Sequence, residues 1–364
     1  MPTSLADFNQ SFRETTLAFL WRQWTALGVL GPAKFCDDWI LDPEALLIHS
    51  LEFARCEARL FDQIISWVVT NGHRLDVARL RRFMGDLTKS ENSVPFRLLG
   101  SLFHYLSENV DERKWKNIAT YAITAHRKTL TPRPVEPLFK DRAGVPHPLV
   151  PVGREDPSFQ LFSLNRPVIQ NLKRTAETPI NPRVSVRFML RALLGIGAKS
   201  ESLLYLLTHE SGRPKEIADK TGYFWLTVQQ ALRDLSDSGL IMSLSRGKRL
   251  EYQASKKRWW MFLDPTETNI RTPSRWLNWG TILGGFTSLN ATLETVAAQD
   301  YSPYLRMSRL QERIEQIHQE FSLSGLDIPP PPAPGLPPEQ HQELILRFVQ
   351  SLLGVISGPS SRAG

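Results

Sequence analysis

Residues 199–254 read KSESLLYLLTHESGRPKEIADKTGYFWLTVQQALRDLSDSGLIMSLSRGKRLEYQA. Leucines recur at helical spacing in the first twelve positions, and Ser211-Gly212 then ends that pattern. A second, short helix is predicted over Arg213–Lys220, because Pro214 is tolerated in a first turn and Thr221-Gly222 follows as a stop signal. The stretch therefore begins with two helices joined by a tight turn.

A third helix and a β-hairpin are predicted next. The helix covers Thr227–Ser236, and Gly239 stands where a left-handed residue would end it. Two short strands, Leu240–Leu244 and Leu250–Ala254, flank a glycine-containing turn with three cations. The apolar positions of this third helix are Val228, Ala231, Leu232 and Leu235. This order of elements is that of a winged helix-turn-helix, with the third helix as the recognition helix and the hairpin as the wing.

The stretch resembles the winged-helix DNA-binding domains of bacterial transcription regulators, above all the ArsR-like and MarR-like groups. The resemblance is carried by PKEIADKTG, TVQQALRDLSDSGLI and SRGKRLEY. In that family the recognition helix lies in the major groove and the wing contacts the backbone or minor groove, so the resemblance implies specific binding to double-stranded DNA. Carried over by position, the DNA-facing residues would be Thr227, Gln229, Gln230 and Arg233 in the groove, with Arg246, Lys248 and Arg249 on the phosphates.

The residues Tyr223-Phe224-Trp225-Leu226 depart from the family pattern, which has small or polar residues at this point. Phe224 could cap the core of its own domain, Trp225 could stack on a sugar or a thymine methyl group, or the whole patch could be buried against another domain. We expect burial ahead of base contact.

Charge is concentrated in the same part of the chain. Residues 183–260 hold fourteen Lys and Arg against seven Asp and Glu, and this excess equals the formal net charge of +7 of the whole chain. Such a patch favours a polyphosphate partner, with affinity that falls as salt rises. The alternative is an ordinary solvated face, since short runs such as Lys256–Arg258 are common on surfaces.

Composition indicates an ordinary globular protein. The chain has 364 residues, 41% hydrophobic and 22% charged, which suits two or three domains. No apolar run is long enough to span a bilayer and the first residues lack a signal-peptide pattern, so a cytoplasmic location is expected. The two cysteines, Cys36 and Cys56, form no CxxC pair and are expected to be buried thiols.

The N-terminal region, residues 1–128, is predicted to be helical. Helices are expected over Asp7–Leu27, over two segments that follow an Asp42-Pro43 start and break near Arg55–Ala58, and over Leu75–Met84. The last two helices could belong to a degenerate second winged helix, and a plain helical bundle explains them equally well. We expect the nearby cations to form a solvated face rather than a second DNA contact: Arg79, Arg81 and Arg82.

The remaining chain divides into segments of different composition. Residues 129–182 are proline-rich and predict a linker or an arm that wraps a partner subunit, with one possible strand over Ser158–Asn165. The winged helix-turn-helix covers residues 183–262, a helical region covers 263–328, and a polyproline spacer covers 329–338.

The amphipathic helix 339–357 is expected to dock on its own chain or to mediate dimerisation, the second being favoured for a regulator with two half-sites. It is predicted to place His341, Glu343 and Arg347 on its polar face, opposite Leu344 and the other apolar residues.

No motif predicts an enzyme. The chain has no HExxH, GxSxG or P-loop, and GIGAKS (residues 195–200) is interpreted as a turn between helices. The eight histidines are scattered singly, which favours surface or core positions over metal binding or catalysis. We therefore expect no catalytic residue, cofactor or metal.

The sequence predicts a mainly α-helical, multidomain, cytoplasmic transcription regulator that binds double-stranded DNA through its central winged helix, as a homodimer. The alternative is a non-enzymatic adaptor whose winged helix packs on protein, and a nucleic-acid enzyme ranks third. The sequence names no effector.

Overall fold

The computed structural model describes residues 5–31, 39–87, 93–128, 134–170, 175–180, 184–246, 249–264 and 275–357, with Asp86, Arg246, Arg249 and Ser357 described by backbone alone. The fold is mainly helical. Its elements are α1 (Leu5–Ala26), α2 (Pro43–Ala54), α3 (Ala58–Asn71), a 3-10 turn (Gly72–Arg74), α4 (Val77–Leu87), α5 (Val94–Asn109), α6 (Arg113–Lys128), β1 (Glu136–Pro137), α7 (Pro157–Gln160), β2 (Leu164–Asn165), α8 (Val186–Leu194), α9 (Ala198–Thr208), α10 (Pro214–Thr221), α11 (Trp225–Asp237), β3 (Met242–Arg246), β4 (Arg249–Gln253), α12 (Lys256–Leu263), α13 (Trp279–Ala298), α14 (Pro303–Leu323) and α15 (Pro338–Ser357).

Local signals set the ends of several helices. At the start of α2 the Asp42 carboxylate accepts a hydrogen bond of 3.2 Å from the Ala45 amide, and Pro43 occupies the first turn. The predicted break between α2 and α3 lies at residues 55–57. Asp42 caps the helix in the way that the sequence predicts.

Helices from both ends of the chain build a single helical body, which we define as α1–α6 and α13–α15. Its hydrophobic core contains Trp24 and Trp67 in edge contact and continues through Phe12 and Phe286 to Phe321. The predicted N-terminal and C-terminal regions therefore share one core. Within the described part of residues 5–128 the regular elements are helices, and no hairpin is found among them.

The proline-rich segment packs on the helical body. Leu138, Phe159 and Phe162 are fully buried, and the guanidinium of Arg55 donates to the carbonyl oxygens of Leu138 and Pro137. Strands β1 and β2 pair in parallel. The described part of this segment is thus an ordered arm fixed on its own chain and not a flexible tether.

The predicted strand over residues 158–165 is mostly wrong. Residues 157–160 form the short helix α7, and only Leu164 and Asn165 are extended in β2. The reason is a local helix-start signal, since the Asp156 carboxylate accepts from the Ser158 amide at 3.0 Å and Pro157 opens the turn.

Helix α15 docks on its own chain. It packs against α14 and α1, and Ile345, Val349 and Leu352 are buried there. His341, predicted on the polar face, is instead buried, and its Nε2 lies 2.8 Å from Gln311 Oε1 of α14. That partner explains the error, because a buried imidazole with a hydrogen bond loses little by leaving water. Leu344, predicted on the apolar face, is only half-buried.

The segment between the arm and α13 forms a second unit, which we call the central unit (Val186–Leu263). Its hydrophobic core is built mainly from α8–α12 and β4 and also takes in Ile40 from the segment before α2, while Phe188 of α8 lies in the core of the helical body. Strands β3 and β4 are antiparallel, with Met242 opposite Gln253, and Gly212 pairs with Tyr252 on the other edge of β4. Three helices and a hairpin thus follow one another from α9 to β4.

Helix α11 begins two residues earlier than predicted, and β3 begins two residues later. The late start of β3 follows from the end of α11, where the amides of Leu240 and Ile241 both donate to the Leu235 carbonyl after Gly239 adopts φ +73°. The predicted helix-to-helix turn at residues 195–197 separates α8 from α9. No described helix is long and apolar enough to cross a membrane.

Candidate nucleic-acid interface

Helix α11 has one buried and one exposed face. Val228, Ala231, Leu232 and Leu235 lie in the core of the central unit. These positions repeat at intervals of three and four residues, so they share one side of the helix. The opposite side is open to solvent.

The sequence-predicted groove residues lie at or beside this open side. Thr227, Gln230 and Arg233 are exposed, and Gln229 is half-buried. The amide nitrogen of Gln230 donates to the Asp234 carboxylate at 2.7 Å. Helix α11 therefore presents a hydroxyl, an amide and a guanidinium along one exposed strip.

The exposed strip also carries a carboxylate that is already paired. Lys199 Nζ lies 2.8 Å from Asp234 Oδ2. Hydrogen bonds from Lys199 and Gln230 lower the pKa of Asp234, which stays charged at neutral pH. This pairing offsets the repulsion that Asp234 would exert on an approaching phosphate.

The predicted wing is described in part. Arg246 and Arg249 face each other across the end of the hairpin, while Lys248 and the side chains of both arginines lie outside the described residues. The middle of strand β4 is held by an ion pair between Arg213 Nε and Glu251 Oε1 at 3.0 Å. The backbone places the ends of both strands close to the predicted phosphate-contacting turn.

The expected burial of residues 223–226 is wrong for three of the four. Phe224 is 78% exposed, Trp225 is 53% exposed and Leu226 is 61% exposed. We call these three residues the apolar tip. They occupy the N-cap and first two positions of α11, where the helix projects past the core that covers Val228. Nothing in the described part of the chain buries the tip.

Tyr223 differs from its three neighbours because it anchors the turn before α11. Its hydroxyl donates to the Asp76 carboxylate, and Arg79 Nε donates to the Thr221 carbonyl at 3.1 Å. Gly222 adopts φ +82° between them, which costs a glycine little. Burial first, and then the negative charges of Glu201 and Asp76, raise the pKa of Tyr223 far above its usual range.

Behind this turn lies an ion network that joins the central unit to the helical body. We define the buried network as three carboxylates and three guanidiniums whose side chains are all at most 6% exposed. Its members are Asp42 and Glu44 of the α2 start, Arg79 of α4, Arg187 and Arg191 of α8, and Glu201 of α9.

The network is dense and electrically balanced. Arg191 reaches Glu44 Oε1 and Glu201 Oε1, both at 2.7 Å, and Arg79 Nη2 lies 2.6 Å from Asp42 Oδ2. Arg187 bridges the two units, with Nη1 3.0 Å from Asp42 and Nε 3.1 Å from Glu201. Each charge meets an opposite charge, which is the condition for leaving water without a large penalty.

Burial and charge oppose each other in setting the pKa values of this network. Burial alone would raise the pKa of Asp42, but Arg187 and Arg79 hold it far below its usual range. Burial likewise acts to raise the pKa of Glu201, and Arg187 and Arg191 more than reverse this. In the arginines the carboxylates raise the pKa of Arg79 and Arg191 despite burial. These two carboxylates and two guanidiniums therefore remain charged across the physiological range.

This network corrects two expectations. Arg79, predicted on a solvated face, is buried, while Arg81 and Arg82 are exposed. Two of the fourteen cations counted in residues 183–260, Arg187 and Arg191, are buried with the acid Glu201, so the charge available at the surface is smaller than the sequence count. A signal for this was present in α8, where Arg187 and Arg191 fall on the same helical face as apolar Leu190.

The cysteines and His49 are the other candidate sites. Cys36 lies outside the described residues, and Cys56 is half-buried, with burial raising its pKa. His49 is buried against Thr287 of α13, and burial lowers its pKa to about 4. Among the described residues no group of three His, Cys, Asp or Glu side chains is placed to hold a metal ion.

The chain shows no match to any protein-family model, to any curated protein or to any solved structure. Its function must therefore be argued from the arrangement of its own residues. The features that bear on it are the exposed strip of α11, the apolar tip and the buried network that fixes both.

Proposed function

We propose that the central unit is a winged helix-turn-helix that binds double-stranded DNA sequence-specifically, and that the protein is a transcription regulator. In this proposal α10 and α11 form the helix-turn-helix and the β3–β4 hairpin is the wing. The observation that carries it is the exposed strip of α11, where Thr227, Gln230 and Arg233 face solvent while the other side of the helix is in the core.

The size and chemistry of α11 suit the major groove. Its 13 residues make a helix about 20 Å long, and the groove is wide enough to admit a helix. Glutamine pairs well with an adenine edge and arginine with guanine, so Gln230 and Arg233 would supply base contacts.

The start of α11 adds a further contact for phosphate. Its N-cap residue Phe224 has no side-chain acceptor, and no side chain caps the first turn. The first backbone N–H groups therefore have no partner within the helix and suit an anion.

Rigid attachment to the helical body also supports this function. The turn before α11 is held by Tyr223, Asp76 and Arg79, and the buried network lies behind it. A reading helix fixed in this way loses little conformational freedom when DNA binds, because most of the ordering has been done during folding.

The adaptor alternative would be favoured by burial of Trp225 between domains, yet Trp225 is 53% exposed. Homodimerisation on two half-sites remains part of the proposal, and we place its interface outside α15, because most of the apolar residues of α15 are buried on the same chain. We propose no effector.

The proposal is tested by fluorescence anisotropy with pooled random duplex DNA across a salt series, comparing wild type with Arg233→Ala. Wild-type affinity should fall as salt rises, and in the variant both the affinity and its salt dependence should be lower, because one cation that faces the DNA is lost. Arg347→Ala removes the same charge from an exposed position on α15 and should change neither quantity. Negligible binding by the wild type, or an equal loss in both variants, would refute the proposal.

A further inference from the structure

The inference rests on the proposed function and assigns one base that the start of α11 selects. We infer that Leu226 contacts the C5-methyl group of a thymine in the major groove. The thymine lies about three base pairs from the base that Arg233 reads, because seven helical residues span about 10 Å and base pairs are spaced by about 3.4 Å.

The helical periodicity places Leu226 on the exposed strip of α11. Gln230 and Arg233 follow it by four and seven residues, which brings all three side chains close to one line along α11. All three are exposed, Leu226 at 61%. A ligand that meets Gln230 and Arg233 along this strip therefore meets Leu226 as well.

The chemistry of Leu226 restricts what that ligand can present. A leucine side chain has no hydrogen-bonding group, and the thymine methyl is the apolar feature on a base edge in the major groove. Against a G·C pair, Leu226 would displace water from donors and acceptors without replacing the lost hydrogen bonds, at a cost in affinity.

The other two residues of the tip do not offset this restriction. Phe224 and Trp225 are in line with the buried Val228 and Leu232, so they continue the core stripe beyond the edge of the central unit. The one polar atom in the three tip side chains is the indole nitrogen of Trp225, and Trp225 lies outside the exposed strip of α11. The first side chain after Leu226 that can hydrogen-bond is Thr227, whose own methyl group also suits thymine.

The support behind the tip is rigid enough for a contact that acts only at short range. Arg79 holds the Thr221 carbonyl, Tyr223 is bonded to Asp76, and Gly222 closes α10 with an amide that donates to the Ala218 carbonyl at 3.0 Å. Dispersion attraction falls steeply with distance, so a methyl contact contributes only when both partners are held in place.

The test replaces thymine by uracil, which removes only the methyl group. Duplexes that bind the wild-type protein are selected from a random pool, and each thymine of the selected site is replaced in turn. We expect uracil at one position to weaken wild-type binding about fourfold, which is the value of one buried methyl group. Leu226→Ala should bind the thymine and uracil duplexes equally, while Leu193→Ala, an exposed leucine on α8, should keep the wild-type ratio.

The other outcomes separate this inference from the function beneath it. Tight, selective binding with no thymine position sensitive to uracil would overturn the inference and leave the proposed function standing. No selectable binding at all would overturn both. A rise in 2-aminopurine fluorescence next to the site on binding would show that the tip unstacks bases, and this would overturn the methyl contact in favour of a wedge. Urea unfolding of each variant confirms that these exposed substitutions leave the fold intact.

Discussion

The two sides of the central unit both carry arginines, but the arginines are buried in ion pairs on one side and exposed to solvent on the other. On the side that meets the helical body, Arg187 and Arg191 are buried among Glu44 and Glu201. On the side that meets solvent, Arg233 stands exposed on α11. Identical side chains thus fix one surface and lie open to solvent on the other, and the difference lies in which carboxylates the fold brings opposite them.

This contrast limits what a count of charges can establish. An excess of cations in a segment favours binding to phosphate only for those cations that remain at the surface. In the central unit, part of the excess balances Asp42 and Glu44, which come from a different part of the chain. A positive segment is therefore a candidate surface until its internal ion pairs are known.

The largest effect is expected from Glu44→Ala. Glu44 accepts from Arg79 and Arg191 and also from the Asp76 amide at 2.7 Å. Its loss leaves two buried guanidiniums short of a partner, and the free energy of unfolding should fall by about 3–5 kcal/mol. Urea unfolding monitored by circular dichroism measures this change.

The matched control is Glu343→Ala, which breaks an exposed ion pair with Arg347 on α15. It should lower the free energy of unfolding by less than about 0.5 kcal/mol. If Glu44→Ala were as mild as this control, the buried network would not hold the two units together and the comparison would fail.

The next effect separates Asp42 and Glu201 of the buried network, whose lowered pKa values keep them charged between pH 5 and 7, from the buried His49. The pKa of His49 is lowered to about 4 from an unfolded value near 6.5, so protons bind the unfolded chain preferentially between these values. The contribution of neutral His49 to the free energy of unfolding is therefore fully present above about pH 6.5 and is lost as the pH falls toward 4. From pH 7 to pH 5 this loss should be about 2 kcal/mol.

Substitution of His49 removes that pH dependence. Urea unfolding at pH 7 and pH 5 should show a smaller loss for His49→Gln than for wild type, by about 2 kcal/mol. An unchanged difference between the two pH values would mean that other groups cause the acid sensitivity.

A smaller effect on stability is expected in the turn between α10 and α11, which links the buried network to the exposed strip. Gly222→Ala places an alanine at φ +82° with its nearest neighbour, Arg79 Nε, 3.9 Å from the new methyl group. The strain is therefore in the backbone alone and should cost about 1 kcal/mol.

Gly354→Ala in α15 provides the opposite case, since this helical glycine has open space around its Cβ position. It should raise stability by up to about 1 kcal/mol. Thermal unfolding of both variants measures the signs, and equal signs would contradict the assignment of strain to Gly222.

Much of the helical architecture is predictable because its signals are local. Asp42 with Pro43 opens α2, Gly222 and Gly239 end α10 and α11, and these positions need no knowledge of distant residues. The exposed strip of α11 follows from the same periodicity, since the buried positions imply the exposed ones.

The buried network and the exposure of the tip could not be predicted in this way. Arg191 and Glu44 pair across 147 positions of sequence, and helical periodicity does not say which element lies opposite. The tip was expected to be buried because it is apolar, yet the core of the central unit ends at Val228. Burial depends on where neighbouring elements stop, which is a property of the tertiary fold.

The central claim is that DNA contacts the solvent-facing side of the central unit, and site-specific photo-crosslinking tests it most directly. A p-benzoylphenylalanine at position 230 would be compared with one at position 347, both exposed in the protein. Irradiation with labelled duplex DNA should give a protein–DNA adduct from position 230 that high salt suppresses, and none from position 347. An adduct from position 347 alone, or from neither position while the protein binds DNA, would contradict the account.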